Sequence, residues 1–227
     1  MIRICDVLFS GLALIVLAPL LVPVMVLLRF TGEGHVFYTQ KRVGMGGKLF
    51  DLLKFSTMLK DSPNIGSGHI TLMDDPRVLP VGRFLRKVKI NELPQIINIF
   101  KGDMSIVGPR PLTERNFNYY AEKDRQMISS VRPGLTGVGS IVFRDEECYL
   151  NQQQNPLQYY QNVIAPYKAE LELWYLRNKS WSMYFKLILL TGLVVAFPDN
   201  RLVDHWLADK PVMPKEISKG GLRKSNP

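Results

Sequence analysis

The 227 residues predict an α+β protein embedded in a membrane through its N-terminus. Three observations lead there. Residues 7–28 (VLFSGLALIVLAPLLVPVMVLL) are almost wholly apolar, enough for a helix to cross a bilayer. Two short runs of strand character flank Gly46-Gly47. Beyond residue 90, apolar positions recur at helical spacing in several stretches. The chain divides into a membrane helix over 1–30, a compact domain over 31–200 and an extension over 201–227. The Pro, Gly, Lys and Ser content of the extension, densest from Asp209 onward, predicts partial disorder.

Taken in order, the N-terminal helix carries Arg3 before its apolar run and Arg29 after it, so charge sets no orientation. No small-residue cleavage pattern closes the run, which argues against a signal peptide. Pro19 and Pro23 interrupt it, and a proline within a helix removes a hydrogen bond and kinks the axis. Two forms stay open: a kinked single span, or a helix that enters, bends at Pro19 and returns to the same face. Residues 36–44 then predict a strand, Gly46-Gly47 a turn, and 49–55 a second strand completing a hairpin. Residues 61–80 read as a mobile loop containing His69.

The stretch 82–111 (GRFLRKVKINELPQIINIFKGDMSIVGPRP) is the centre of the chain. Asn91 is a good N-cap, Glu92 falls in the first turn, and Pro94 is tolerated there. Leu93, Ile96, Ile97 and Phe100 form one apolar stripe, and Gly102 is placed to end the helix. Arg83, Arg86, Lys87 and Lys89 precede it. A helix N-terminus bearing a carboxylate amid arginines suits a phosphate and metal site. Farther on, Thr113 caps an expected amphipathic helix over 113–131. Residues 167–197 are helical in period, with Trp174, Tyr175, Trp181, Tyr184 and Phe185 among Arg177, Lys179 and Lys186. That mixture favours a membrane–water interface. The run 187–197 is half the length of a span and reads as packed on the core or lying in the interface.

There are 29 basic and 20 acidic residues, a net charge of +9, which suits anionic lipid headgroups, phosphorylated substrates or nucleic acid. The arginines sit among glycine-proline turns rather than on one helix face, and no recognised nucleic-acid motif is present, so the sequence lends a nucleic-acid partner no support. Cys5 and Cys148 make no disulfide framework and fit a reducing compartment. Zinc spacing, a Walker A loop, a dinucleotide fingerprint and internal repeats are all absent.

Asn91-Glu92-Leu93-Pro94-Gln95, Gly102-Asp103-Met104-Ser105 and Gly108-Pro109-Arg110-Pro111 are three motifs at fixed spacing. Together they resemble the core of the bacterial monotopic phosphoglycosyl transferases. Lys54-Phe55-Ser56-Thr57-Met58, Asp74-Asp75-Pro76-Arg77 and Arg132-Pro133-Gly134-Leu135-Thr136-Gly137 extend the resemblance. It implies transfer of a phosphosugar from a UDP-sugar to undecaprenyl phosphate with release of UMP, initiating glycan assembly. It implies a small catalytic domain on the cytoplasmic face of the bacterial inner membrane, interfacial amphipathic helices, and the re-entrant form of the N-terminal helix. The break typical of that form is Ser-Pro; here it is Ala18-Pro19.

The resemblance also assigns residues. Lys54, Arg86, Arg110 and Arg144 would meet substrate phosphates, and Mg2+ would be the cofactor. Membrane lipids would be partners, and a homo-oligomer is left open. One departure is chemical: the family's nucleophilic Asp is Asn91 here. A carboxamide has no anionic oxygen, so the expected carboxylates are Glu92, as metal ligand or nucleophile, Asp103, or one of Asp145-Glu146-Glu147. The run 145–147 also reads as a plain solvated stretch. A different outcome of the same substitution is a catalytically silent homologue that binds UDP-sugar or lipid phosphate as a regulatory membrane partner.

Overall fold

The structure is a computed structural model that describes residues 2–64, 75–197 and 200–217. His69 and Asp74 lie outside the described residues. The chain forms two compact units. The first comprises residues to Arg42 together with Leu49–Ile106; the second comprises Val43–Lys48 and the chain from Val107 onward.

In the first unit, α1 (Ile2–Arg29) contains Pro19 and Pro23. A turn with Gly32 and Gly34 at positive φ leads from α1 into the hairpin of β1 (Phe37–Val43) and β2 (Leu49–Phe55), whose connection has Gly46 and Gly47 at positive φ. Glycine takes that backbone without a Cβ penalty. A 3-10 turn (Ser62–Asn64) follows. The Arg77 guanidinium clasps the Asp75 carboxylate with two hydrogen bonds of 2.8 and 2.6 Å and donates a third to Ser62 O. All three residues are buried, and the guanidinium ties Asp75 and Arg77 to Ser62. Then come α2 (Pro80–Lys87), a 3-10 turn (Ile90–Glu92) and α3 (Gln95–Lys101).

One apolar cluster ties these pieces together. Val24 and Leu28 of α1, Phe55 of β2 and Leu85 of α2 are buried against each other, with Val36, Val81 and Ile90 packed around them. The other end of α1 docks separately. Arg3 donates to the Ile99 and Phe100 carbonyls at the end of α3, and Asp6 accepts from Ser105 Oγ (2.8 Å) and Ile106 N (3.0 Å). Between them, residues 11–23 of α1 include none that is buried.

The second unit contains the pairing of β3 (Ser105–Val107), through its last residue and the turn after it, with β4 (Gly134–Thr136). Its helices are α4 (Glu114–Phe117), α5 (Glu122–Ile128), α6 (Val138–Val142), α7 (Glu146–Leu150), α8 (Pro156–Tyr159), α9 (Ala165–Arg177), α10 (Trp181–Ala196) and α11 (Asn200–Trp206). A π-helical turn (Tyr160–Ile164) joins α8 to α9. α9 is the central element: α5 and α6 pack on it, and Tyr167, Leu171 and Tyr175 are fully buried along it.

Several expectations need correction. Asn91 is not a helix N-cap: it lies inside the 3-10 turn, and α3 begins at Gln95 behind Pro94. α3 has seven residues. Its buried face is Gln95, Ile96, Asn98 and Ile99, while Phe100 is exposed. The polar pair is drawn inside because Asn98 accepts from Leu53 N (2.9 Å) and donates to Asp51 O (2.8 Å) of β2. The helix expected over 113–131 is two short helices, broken where Tyr120 turns into the core. Thr113 does cap the first, accepting from Asn116 N. Gly102 ends α3 at φ 104° as expected. Leu187, Leu190 and Val194 are buried while Phe185, Leu189 and Phe197 are exposed, so α10 has one packed and one open face. Past α11 the chain stays on the unit as far as Glu216, where Tyr167 and Tyr159 hydroxyls donate to Pro211 O and Glu216 O; residues 218–227 of the extension lie outside the described residues.

Candidate active site

Lys89 adopts a left-handed backbone (φ 60°), the only non-glycine residue to do so among the described residues. A lysine there costs of order 1 kcal/mol, and such backbone persists where neighbours over-determine it. It launches the 3-10 turn that carries Asn91 and Glu92. β2 and α2 both pack on that turn. The apolar cluster supplies the restraint: Phe55, Leu85 and Ile90 belong to it. Their chain neighbours are Lys54, Arg86 and Asn91, so one buried cluster sets three of the expected site residues at once.

Within this site, Lys54 Nζ lies 3.0 Å from Glu92 Oε1, with both side chains about one-fifth exposed (18% and 20%). Lys54 is therefore paired and half-buried rather than a free surface cation. Arg86 Nη1 stands 3.7 Å from Met58 Sδ. Asn91 is 8% exposed, and its Oδ1 is buried without accepting a hydrogen bond. A buried acceptor of this kind calls for a donor, at a cost of roughly 1–3 kcal/mol where none is supplied. Asp103 is not brought to Glu92. It sits past the opposite end of α3, its carboxylate 3.2 Å from Asn98 Nδ2. Among the described residues no three His, Cys, Asp or Glu side chains cluster to cage a metal.

In the second unit, the Gly108-Pro109-Arg110-Pro111 turn is pressed backbone to backbone against Arg132–Gly137. Gly108 N donates to Thr136 O (2.9 Å) and Gly134 N to Pro109 O (2.8 Å). A Cβ on Gly134 would stand 2.1 Å from Gly108 N, and one on Gly137 would stand 2.1 Å from Gly108 O. Only glycine permits that approach. Arg110 is seated by this clamp, its N–H donating to Glu172 Oε1 (3.2 Å) and its Nη1 reaching Ser140 Oγ (3.5 Å). Arg144 donates to the Val194 carbonyl near the end of α10. The acidic run is half-buried, not solvated, and Glu146 is paired with buried Lys168.

The family description "Bacterial sugar transferase" matches residues 1–198. The chain belongs to the bacterial sugar transferase family. This sugar transferase is 39% identical over 171 residues to the exopolysaccharide production protein ExoY of Sinorhizobium fredii, covering 69% of this chain and 75% of that one. It is 36% identical to a UDP-glucose:undecaprenyl-phosphate glucose-1-phosphate transferase of Caulobacter vibrioides, over 61% of this chain and 52% of that one. It is 34% identical to an undecaprenyl-phosphate galactose phosphotransferase of Salmonella typhimurium, over 65% of this chain and 33% of that one.

Sequence reasoning missed Asp6, Asn98 and Glu172, each of which fixes a segment of the transferase through a buried side chain. Asp6 had a visible signal, a lone carboxylate entering an apolar run. Asn98 and Glu172 had none, because both stand among helix-forming neighbours.

Proposed function

We propose that this chain transfers a phosphosugar from a UDP-sugar to undecaprenyl phosphate, releasing UMP, as the first membrane step of glycan biosynthesis. The observation that carries the reading is the Lys54–Glu92 pair, set beside Arg86 and Asn91 by an apolar cluster that includes the C-terminal half of α1. The names of the relatives from Caulobacter and Salmonella support undecaprenyl phosphate as acceptor.

In this reading a carboxylate oxygen attacks the sugar-bearing phosphorus, and the P–O bond to UMP breaks with its electron pair leaving on UMP. An oxygen of undecaprenyl phosphate then attacks the same phosphorus and displaces the carboxylate. Splitting the transfer in this way is nucleophilic catalysis. Asn91 has no anionic oxygen, so Glu92 takes the carboxylate role. Lys54 and Arg86 neutralise the phosphate charge as it shifts toward the leaving group. Arg110 and Arg144 are assigned to phosphate by the resemblance. Magnesium fits the donor set. One carboxylate is enough for an ion held mostly by substrate phosphates and water, and the unpartnered Asn91 Oδ1 is a second hard oxygen. Asn91 Oδ1 and the Glu92 oxygen that does not attack phosphorus would hold it, and it would supply charge neutralisation at the diphosphate.

The membrane helix is proposed to be re-entrant, placing the domain on the cytoplasmic face of the inner membrane. Arg3 and Asp6 near one end of α1, and Val24 and Leu28 near the other, are held by the same compact unit. A helix crossing a bilayer puts its ends on opposite sides about 30 Å apart. Two ends bound to one unit support an apolar middle that dips in and returns. The open face of α10 (Phe185, Leu189, Phe197) supports an interfacial position for that helix.

A second reading is favoured by Asn91 itself: a silent homologue that binds UDP-sugar or lipid phosphate and regulates an active enzyme. UMP release from a panel of UDP-sugars, with undecaprenyl phosphate and magnesium, separates the two. Release by the chain as it stands, abolished by Glu92→Gln, is the expected result. Release only after Asn91→Asp, with UDP-sugar binding intact before it, selects the silent homologue.

A further inference from the structure

Arg110 is held from two directions inside the second unit, its backbone by Glu172 and its guanidinium by Ser140. Glu172 projects from α9 and is 2% exposed. The space around its carboxyl is closed, since a Cβ on Gly139 would stand 2.4 Å from Oε1. The turn has no more room, because Gly137 and Gly134 abut Gly108. Lys168, one turn before Glu172 on α9, is ion-paired with Glu146 and lies over the rings of Phe143 and Tyr160. Glu172 Oε2 accepts no hydrogen bond, an omission that buried carboxyl groups seldom tolerate.

We propose that Glu172 is a positioning residue for Arg110: it locks the Gly108–Pro111 turn so that the guanidinium meets a phosphate of the nucleotide diphosphosugar. The inference rests on the reading of Arg110 as phosphate-binding. Glu172 touches no substrate and acts through the Arg110 backbone. Burial pushes its carboxyl up to about 7, against the pull of the Arg110 N–H and of the Lys168 and Arg110 charges. The other groups near it are Glu146, ion-paired with Lys168, and the Tyr120 hydroxyl, which burial keeps protonated. An ionised carboxylate accepts the Arg110 N–H more strongly than a neutral acid does. Phosphate binding therefore tightens as pH rises through neutrality.

The test is UDP binding by the full chain in detergent, measured calorimetrically from about pH 6 to about pH 8. Glu172→Ala is expected to weaken binding about tenfold, the scale of one lost charge-assisted hydrogen bond. In an Arg110→Ala background the same change is expected to add nothing. Glu172→Gln keeps an acceptor oxygen and volume, so it restores binding and leaves only the pH dependence of the UDP terminal phosphate itself, which titrates at about 6. If Glu172→Ala fails to fold, the Gln profile decides. An additive double variant, an unaffected Ala variant or a Gln variant that keeps the full pH dependence of the unaltered chain overturns the proposal. If Arg110→Ala alone leaves UDP affinity unchanged, the assignment of Arg110 fails first and the positioning role with it. Absence of UDP binding by the unaltered chain removes both.

Discussion

Lys54 Nζ and Glu92 Oε1 meet at 3.0 Å across the junction of β2 and the turn before α3. The pair links two motifs that lie 38 residues apart, and each partner sits one residue from, or within two of, a cluster residue. Partial exposure screens the pair, so its worth in stability is about 1 kcal/mol or less. The proposed mechanism gives it a larger effect on the chemistry. Glu92→Gln is expected to lower UMP release at least ~100-fold with little change in melting temperature. Full turnover in that variant would remove Glu92 from the mechanism.

Gly82 lies in α2 directly against the end of β2. A Cβ there would stand 2.2 Å from Thr57 O, which already accepts from Leu79 N. Gly82→Ala must push α2 away from Thr57 and carry Arg86 with it. A loss of about 2 kcal/mol or more is expected in denaturant unfolding, with weakened UDP-sugar binding. A stable variant with unchanged affinity would show that Arg86 does not depend on this approach.

The glycine clamp at Gly108, Gly134 and Gly137 meets backbone rather than side chains, so no rotamer change relieves an added methyl. Gly137→Ala is expected to destabilise by roughly 3 kcal/mol and to disrupt the Arg110 turn. Thermal unfolding of the detergent-solubilised variant checks the first point and UDP affinity the second.

The two ends of α1 give a topological prediction. In a chain lacking Cys5 and Cys148, single cysteines at the exposed positions Ile4 and Phe30 are expected to react with an impermeant maleimide from the same side of the membrane. Labelling from opposite sides would establish a spanning helix. Asp6→Ala removes the acceptor for Ser105 Oγ and Ile106 N and is expected to loosen this docking, at a cost of about 1–3 kcal/mol.

Glu172 also predicts a pH dependence of stability. Its folded pKa, about 7, lies above the ordinary carboxylate value of 4.5. Between these values the folded state holds a proton that the unfolded chain has lost, so stability falls as pH rises through the window. The stabilisation is full below 4.5 and gone once pH passes about 7. The slope is expected to vanish in Glu172→Gln, and equal pH profiles of melting temperature for the two proteins would contradict it.

Much was legible from residue order because it depends on local chemistry. The apolar run of α1, the hairpin around Gly46-Gly47, the stop at Gly102 and the cap at Thr113 follow from composition and backbone preference within a few residues. The motif spacings carried the family in the same way. What sequence could not reveal depended on pairings between distant segments. Asn91 reads as an N-cap by propensity, yet the left-handed Lys89 and the packing of Ile90 put it inside a 3-10 turn. Phe100 fits the apolar stripe, yet Asn98 is buried because β2 offers it a donor and an acceptor. The run 145–147 looks solvated until Lys168 is placed against Glu146. Glu172 is one more glutamate on a helix until the fold brings the Arg110 N–H to it. Local propensity differs between such states by less than about 1 kcal/mol per residue, whereas leaving a buried polar group unpaired costs more, so the tertiary partner decides.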